Sequence, residues 1–261
     1  MISFVLATRN DGYGGELEGV ENFTMKRLEI TVNSILALGV DSEIIVIDFC
    51  TDDNKKPVKD FVSHLPVRVI TLKRNLLTLL QEDGKTNLVF YECLSKDIGI
   101  KKAKGEYIIT CNPDNIFPSI NFDRVLADIE KGLIVRAIRL EIDKNYGKLN
   151  ISTLIEKANK NDFNILSKWE TAAGDFTGFR KDIYFSIGGY RLLHGNWHLD
   201  NEFIDRVKSL GFEVFYPYSH YHLNHTDSIY AFQKDKNWQN FRSISKEILN
   251  RIDEFICEET L

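Results

Sequence analysis

The sequence predicts an α/β fold, a mostly parallel central sheet flanked by helices, with a C-terminal lobe and a terminal helix added to it. Three observations predict it. Short apolar runs recur at Phe4 to Ala7, Glu43 to Asp48, Val67 to Ile70 and Glu106 to Cys111, each bounded by polar turn residues. Runs without alternation suit strands buried on both faces. Between them lie apolar residues at helical spacing, Met25, Leu28, Val32, Ile35 and Leu36 in one stretch and Leu88, Tyr91, Leu94 and Ile98 in another. Strands alternating with helices along the chain imply parallel pairing.

The first strand begins at once, Ile2 to Thr8, with no charged leader before it. No apolar run approaches the roughly 20 residues of a membrane span, so a soluble, cytoplasmic protein without a transmembrane segment is expected. From Leu133 to Ile142 a longer alternating segment follows, then a helical stretch near Leu154 to Leu166 and a glycine-punctuated region from Gly174 to Gly195. Glu213 to Pro217 reads as a further strand. Phe241, Ile244, Ile248, Ile252 and Phe255 recur at spacings that place them on one face of a terminal helix. We expect a single domain over 1–225, its halves 1–115 and 116–225 binding nucleotide and acceptor, and a helical extension over 226–261.

Composition narrows the functional classes. The 261 residues are 43% hydrophobic, enough for a substantial core. Lys and Arg number 33 against 38 Asp and Glu, a formal charge of −5 that disfavours nucleic acid as a partner. Cys50, Cys93, Cys111 and Cys257 form no CxxC pair and read as reduced core thiols.

In parallel sheets, ligands bind beyond the carboxyl ends of the strands. There the sequence places Thr8, Arg9 and Asp11 after the first strand, Asp48 at the end of the second, and Asn112-Pro113-Asp114 after the fourth. Thr8, Arg9 and Asp11 offer a donor, a fixed positive charge and an acceptor. Asp48 suits a nucleobase or ribose, and Asp114, stiffened by the preceding proline, suits a divalent cation bridging to a diphosphate. Read singly, Asn-Pro-Asp is equally a turn and Asp48 equally a cap for the next turn. Asp200, near the start of a helix carrying Phe203, Ile204, Val207 and Leu210, is a helix cap or a general base, and Trp197 beside it an apolar platform for a sugar. Three of the six histidines, His220, His222 and His225, bunch after the last strand and suggest a metal or phosphate contact. A histidine ligand would favour Mn²⁺ over Mg²⁺.

In combination these residues resemble the nucleotide-sugar-dependent glycosyltransferases of the GT-A fold, in particular the family-2-like group. The opening Arg9-Asn10-Asp11-Gly12-Tyr13-Gly14-Gly15 is similar to the Arg-Asn-Asp-x-Tyr-Gly-Gly start of one subgroup. Ala103 to Ile109 is similar to the segment leading into the family's metal-binding Asp-x-Asp. Gly174-Asp175-Phe176, Gly188-Gly189-Tyr190, Trp197 to Asp200 and Tyr221 to His225 continue the match in order.

The resemblance implies an inverting transfer from a nucleoside diphosphate sugar, UDP first and GDP next, to a glycan hydroxyl, with Mn²⁺ or Mg²⁺ as cofactor. It assigns Asp200 as the base, Thr8, Arg9, Asp11, Asp48 and Asn112 to the donor, and Asp114 with His222 to the metal. His225 goes to metal or diphosphate, and Asp175, Trp197 and His198 to the acceptor. Asn112 stands where the family has an acid, and Leu199 replaces the acid before the base. Both departures leave open a non-catalytic nucleotide- or carbohydrate-binding protein of the same fold. A zinc hydrolase lacks its His-Glu-x-x-His helix here, and a nucleotidyltransferase lacks its basic phosphate loop.

Overall fold

The computed structural model describes residues 1–12, 15–170, 174–196, 199–225 and 238–260. The first half runs β1 (Ile2–Thr8), α1 (Phe23–Leu36), β2 (Ser42–Phe49), α2 (Lys59–Val62), β3 (Arg68–Leu72), α3 (Arg74–Gly84), α4 (Glu92–Lys102), β4 (Tyr107–Cys111) and β5 (Asn115–Ile116). The second half runs α5 (Phe122–Glu130), β6 (Ile134–Ile142), α6 (Ile151–Asn159), β7 (Ile165–Trp169), β8 (Phe176–Arg180), α7 (Lys181–Ser186), α8 (Leu199–Ser209), β9 (Val214–Leu223), α9 (Lys246–Asn250) and β10 (Ile256–Thr260).

One sheet carries both halves, in the order β10-β3-β2-β1-β4-β8-β6-β9-β5, with β7 on the side of β6. Pairing is parallel from β3 through β2 and β1 to β4 and again between β6 and β9, and antiparallel elsewhere. The predicted second lobe is therefore largely a continuation of the sheet.

The apolar strands are buried on both faces because helices cover both. In β1, Val5 faces a core shared with Ile47, Leu77, Leu94 and Ile98, while Phe4 and Leu6 face one shared with Leu28, Val32 and Val46. This is the two-residue alternation of a pleated strand. Gly99 lets α4 lie against β1: a Cβ there would fall 2.4 Å from Val5 Cγ1.

The terminal helix is not formed. Among the described residues, Ile244 N donates to Leu192 O and His194 N to Arg242 O, so residues 242–244 are held as an extended segment against 192–194. Ser245 then caps the short α9, Ile252–Phe255 makes a 3-10 turn, and β10 runs antiparallel to β3. Ile244 and Phe255 reach one core from separate elements; the helical spacing was satisfied by burial without one continuous helix. The expected extension thus covers the β3 edge of the sheet. Cys50, Cys93 and Cys111 are buried free thiols as expected, but Cys257 is exposed on this edge strand.

Candidate active site

Thr8 and Asp48 are register partners at the ends of β1 and β2, and β4 pairs with β1 on the other side. A cavity opens beyond these ends, lined by Thr8, Arg9, Asp11, Asn112, Pro113 and Asp114, with Phe90, Glu92 and Asn196 from the opposite wall. The loop after β1 is anchored by Asn10, whose amide donates to Lys56 O at 2.7 Å and accepts from Asn22, the cap of α1.

Asp114 sits at the turn from β4 into β5. Pairing of β5 with β9 places Asn115 opposite His222, which delivers both histidines to Asp114. His222 Nε2 lies 3.5 Å from Asp114 Oδ1 and His225 Nε2 3.1 Å from Oδ2. Ligand atoms of the three residues all fall within 4.8 Å of one another. Arg27 Nη1, from α1, adds a positive charge 3.3 Å from Asp114 Oδ2. Behind His222, Glu141 Oε2 faces Nδ1 at 2.9 Å, and Arg139 bridges Glu141 to Asp175.

This donor set fits a divalent cation. Asp114 Oδ1 is buried without a hydrogen-bond partner, and Glu141 holds the His222 ring with Nε2 toward Asp114. A carboxylate behind a ligating imidazole is the usual orienting arrangement, and two imidazoles with one carboxylate favour Mn²⁺ over Mg²⁺. Burial disfavours the His222 imidazolium, but Asp114 and Glu141 outweigh it and raise the pKa to about 9. Burial likewise opposes the Asp114 carboxylate, yet His222 and His225 hold it well below the ordinary range. His220 lies on the same face of β9, sealed between Phe117 and Phe176. Burial pushes it down to about 4, so it is a neutral core residue rather than a ligand.

Asp200 stands in the first turn of α8, next to the Glu92 wall of the cavity. Gly174 adopts a φ of +82°, and a Cβ there would lie 3.0 Å from Glu92 Oε1 and 3.1 Å from Asp200 Oδ2, so the two carboxylates border one small space. Burial first, and Glu92 second, push Asp200 up to about 6, a value suited to a general base near neutral pH. Lys96, 2% exposed, holds this wall together, donating to Glu92, to Asn112 Oδ1 and to Gly174 O.

The structure therefore brings Thr8, Arg9, Asp11, Asn112 and Asp114 to one cavity, and His222 and His225 to Asp114. Others are placed differently. Asp48 is fully buried and lies behind the cavity: its oxygens accept from Thr51 Oγ1 at 2.5 Å and Val58 N at 3.2 Å, tying down the loop after β2. Asn112 borders the cavity, but its amide is spent on Lys96 and on Asp175 Oδ1. Asp175, 1% exposed, accepts from Asn112 and Arg139 and braces the two internally. Arg9 lines the cavity while donating to Val89 O and Asp52. Trp197 and His198 lie outside the described residues.

Sequence reasoning missed Glu92, Lys96, Arg139, Glu141 and Arg27. The available signal was charge inside apolar elements, Arg136, Arg139 and Glu141 in a strand otherwise built of Ile, Val, Ala and Leu.

No family model and no curated protein matches this sequence. Solved structures match its shape. The mannosyltransferase PcManGT from Pyrobaculum calidifontis, in complex with GDP-Man and Mn²⁺, is 11% identical with a TM-score of 0.53, over 88% of this chain and 59% of that one. GalNAc-T7 with UDP, GalNAc and Mn²⁺ is 16% identical with a TM-score of 0.57, over 87% and 44%. TarS from S. aureus is 14% identical with a TM-score of 0.51, over 85% and 36%. This chain thus spans between about a third and three fifths of these proteins, and it has the GT-A fold of glycosyltransferases.

Proposed function

We propose that this chain is a nucleotide-sugar-dependent glycosyltransferase that inverts configuration, with UDP ahead of GDP as the donor nucleotide and a glycan hydroxyl as acceptor. The observation that carries the reading is an Asp114–His222–His225 cluster whose Asp114 lines the cavity at the strand ends, together with the raised-pKa carboxylate of Asp200 beside Glu92, which lines the same cavity. That the GT-A fold is seen in structures holding GDP-Man or UDP with Mn²⁺ supports it.

Thr8, Arg9 and Asp11 would bind the nucleotide where β1 ends. A Mn²⁺ held by Asp114, His222 and His225 would supply Lewis-acid stabilisation of the diphosphate leaving group. Arg27 adds a fixed positive charge at the same place. Asp200, ionised above about pH 6, accepts the proton of the acceptor hydroxyl as that oxygen attacks the anomeric carbon, and a single displacement inverts its configuration. Among the described residues no helix is long and apolar enough to cross a membrane, and we place the reaction in cytoplasmic polysaccharide assembly.

Calorimetry of UDP, GDP and their sugar conjugates, with and without Mn²⁺, tests the reading. Mn²⁺-dependent binding of one diphosphate, lost in Asp114→Ala, supports the donor site; binding of none overturns it. A non-catalytic binding protein of the same fold is the second reading, favoured by the amide at Asn112. Donor binding without transfer or donor hydrolysis would select it.

A further inference from the structure

Strand β7 lies on the side of β6, and all five of its residues, Ile165 to Trp169, are exposed. Trp169 is 54% exposed and belongs to none of the three apolar cores. Its place in the register is informative. Trp169 pairs with Arg139 and Ser167 with Glu141, and directly opposed residues of an antiparallel pair project from the same face. Arg139 and Glu141 are the residues that reach Asp175 and the back of His222. The indole and the Ser167 hydroxyl therefore stand on the face of the sheet that carries the Asp114 cluster, while Leu166 and Lys168 project from the other.

Trp169 Nε1 donates to Ser167 Oγ at 3.1 Å, which fixes the ring along the strand. A fixed aromatic ring loses little rotamer freedom when a ligand covers it. Its surroundings on that face are polar, Ser167, Arg139 and Glu141. One apolar ring framed by polar groups suits a ligand with one C–H face and a rim of hydroxyls. It suits an apolar protein helix poorly, since such a helix would leave the charges without water.

We propose that Trp169, with Ser167, is a platform of the acceptor site on which a pyranose ring of the acceptor glycan stacks. This proposal rests on the transferase reading for the word acceptor, but its test does not depend on turnover.

Hexasaccharides of α-1,4-glucan, β-1,4-glucan, β-1,4-linked N-acetylglucosamine and α-1,6-mannan are titrated into the full chain, with and without UDP and Mn²⁺. Binding is read by calorimetry and saturation-transfer NMR. At least one hexasaccharide is expected to bind. Trp169→Ala should weaken it by about tenfold or more, while Trp169→Phe, which keeps a ring, loses less than about threefold. Leu166→Ala, on the opposite face, and UDP affinity in every variant should be unchanged. Failure of all four hexasaccharides to bind, or equal binding by Trp169→Ala, overturns the proposal. So does sedimentation showing that Trp169→Ala converts a dimer to a monomer, which would make the ring a contact between copies. Loss of UDP binding in the wild type counts against the transferase reading alone.

Discussion

Lys96 Nζ donates to the amide oxygen of Asn112 at 2.8 Å, so the residue standing at the first acid of the family's Asp-x-Asp has turned that oxygen toward an internal lysine. Its Nδ2 is equally engaged, donating to Asp175 Oδ1 at 2.9 Å. Restoring the acid by Asn112→Asp would place a carboxylate against Asp175 and remove a donor from a buried acceptor. We expect a loss of about 1–3 kcal/mol in urea unfolding, with Mn²⁺ affinity changed by less than about threefold, since the proposed ion site is Asp114, His222 and His225 rather than position 112. Mn²⁺ binding strengthened tenfold in calorimetry would show instead that position 112 reaches the metal.

In the proposed metal site, Glu141 would act on the ion through His222. With the His222 pKa raised to about 9 by Asp114 and Glu141 against the effect of burial, a proton competes with Mn²⁺ below that pH, and affinity should climb as pH rises through it. Glu141→Gln removes one of the two charges holding that proton. The midpoint of the pH dependence should move to lower pH, and the high-pH affinity should fall by about 10- to 100-fold through loss of ring orientation. Titration of Mn²⁺ followed by electron paramagnetic resonance at several pH values measures both.

If Asp200 is the base of the proposed transfer, it sets the acid limb of activity. A base must be ionised, and burial and Glu92 raise this carboxyl to about 6. Hence kcat/KM should be flat above pH 7 and fall about tenfold per unit below 6. Asp200→Asn should lower kcat by at least about 10²-fold and leave UDP affinity within about threefold. Glu92→Gln, which removes the like charge, should move the limb to lower pH. An unchanged profile in Glu92→Gln would mean that burial alone tunes Asp200.

The strands of the first half were legible because β1, β2 and β4 are buried on both faces, and burial of that kind writes continuous apolar runs. Asp114 and the histidines were legible as residue types, since few other groups hold metals. The partners that make them a site were not. Glu141 is 27 residues from Asp114 in sequence and meets His222 only because β6 pairs with β9. Asp48 shows a related ambiguity: a carboxylate at a strand end serves a ligand or its own loop equally well, and here Thr51 and Val58 donate to it. The terminal segment misled because a series of apolar residues at spacings of three and four records burial, and here that burial was met by bridges, turns and a strand.

A buried cation ties together the wall beside Asp200. Lys96 is 2% exposed and donates to the Glu92 carboxylate, to Asn112 Oδ1 and to Gly174 O. Burial works against its charge, but Glu92 outweighs burial and its pKa lies above the ordinary lysine value. A raised lysine pKa contributes stability in full below the unfolded value near 10.5, and this is lost only as pH rises through the folded one. At neutral pH the whole contribution is therefore present. Lys96→Met keeps much of the volume but leaves Glu92 unpaired beside Asp200, and it removes the donor from two buried oxygens. Breaking a buried pair in this way should cost about 3–5 kcal/mol in urea unfolding. Lys96→Met combined with Glu92→Gln removes the stranded charge and should recover about 1–3 kcal/mol of that loss. A cost below about 1 kcal/mol for Lys96→Met, or no recovery in the double variant, would show that the wall is held by packing rather than by this ion pair.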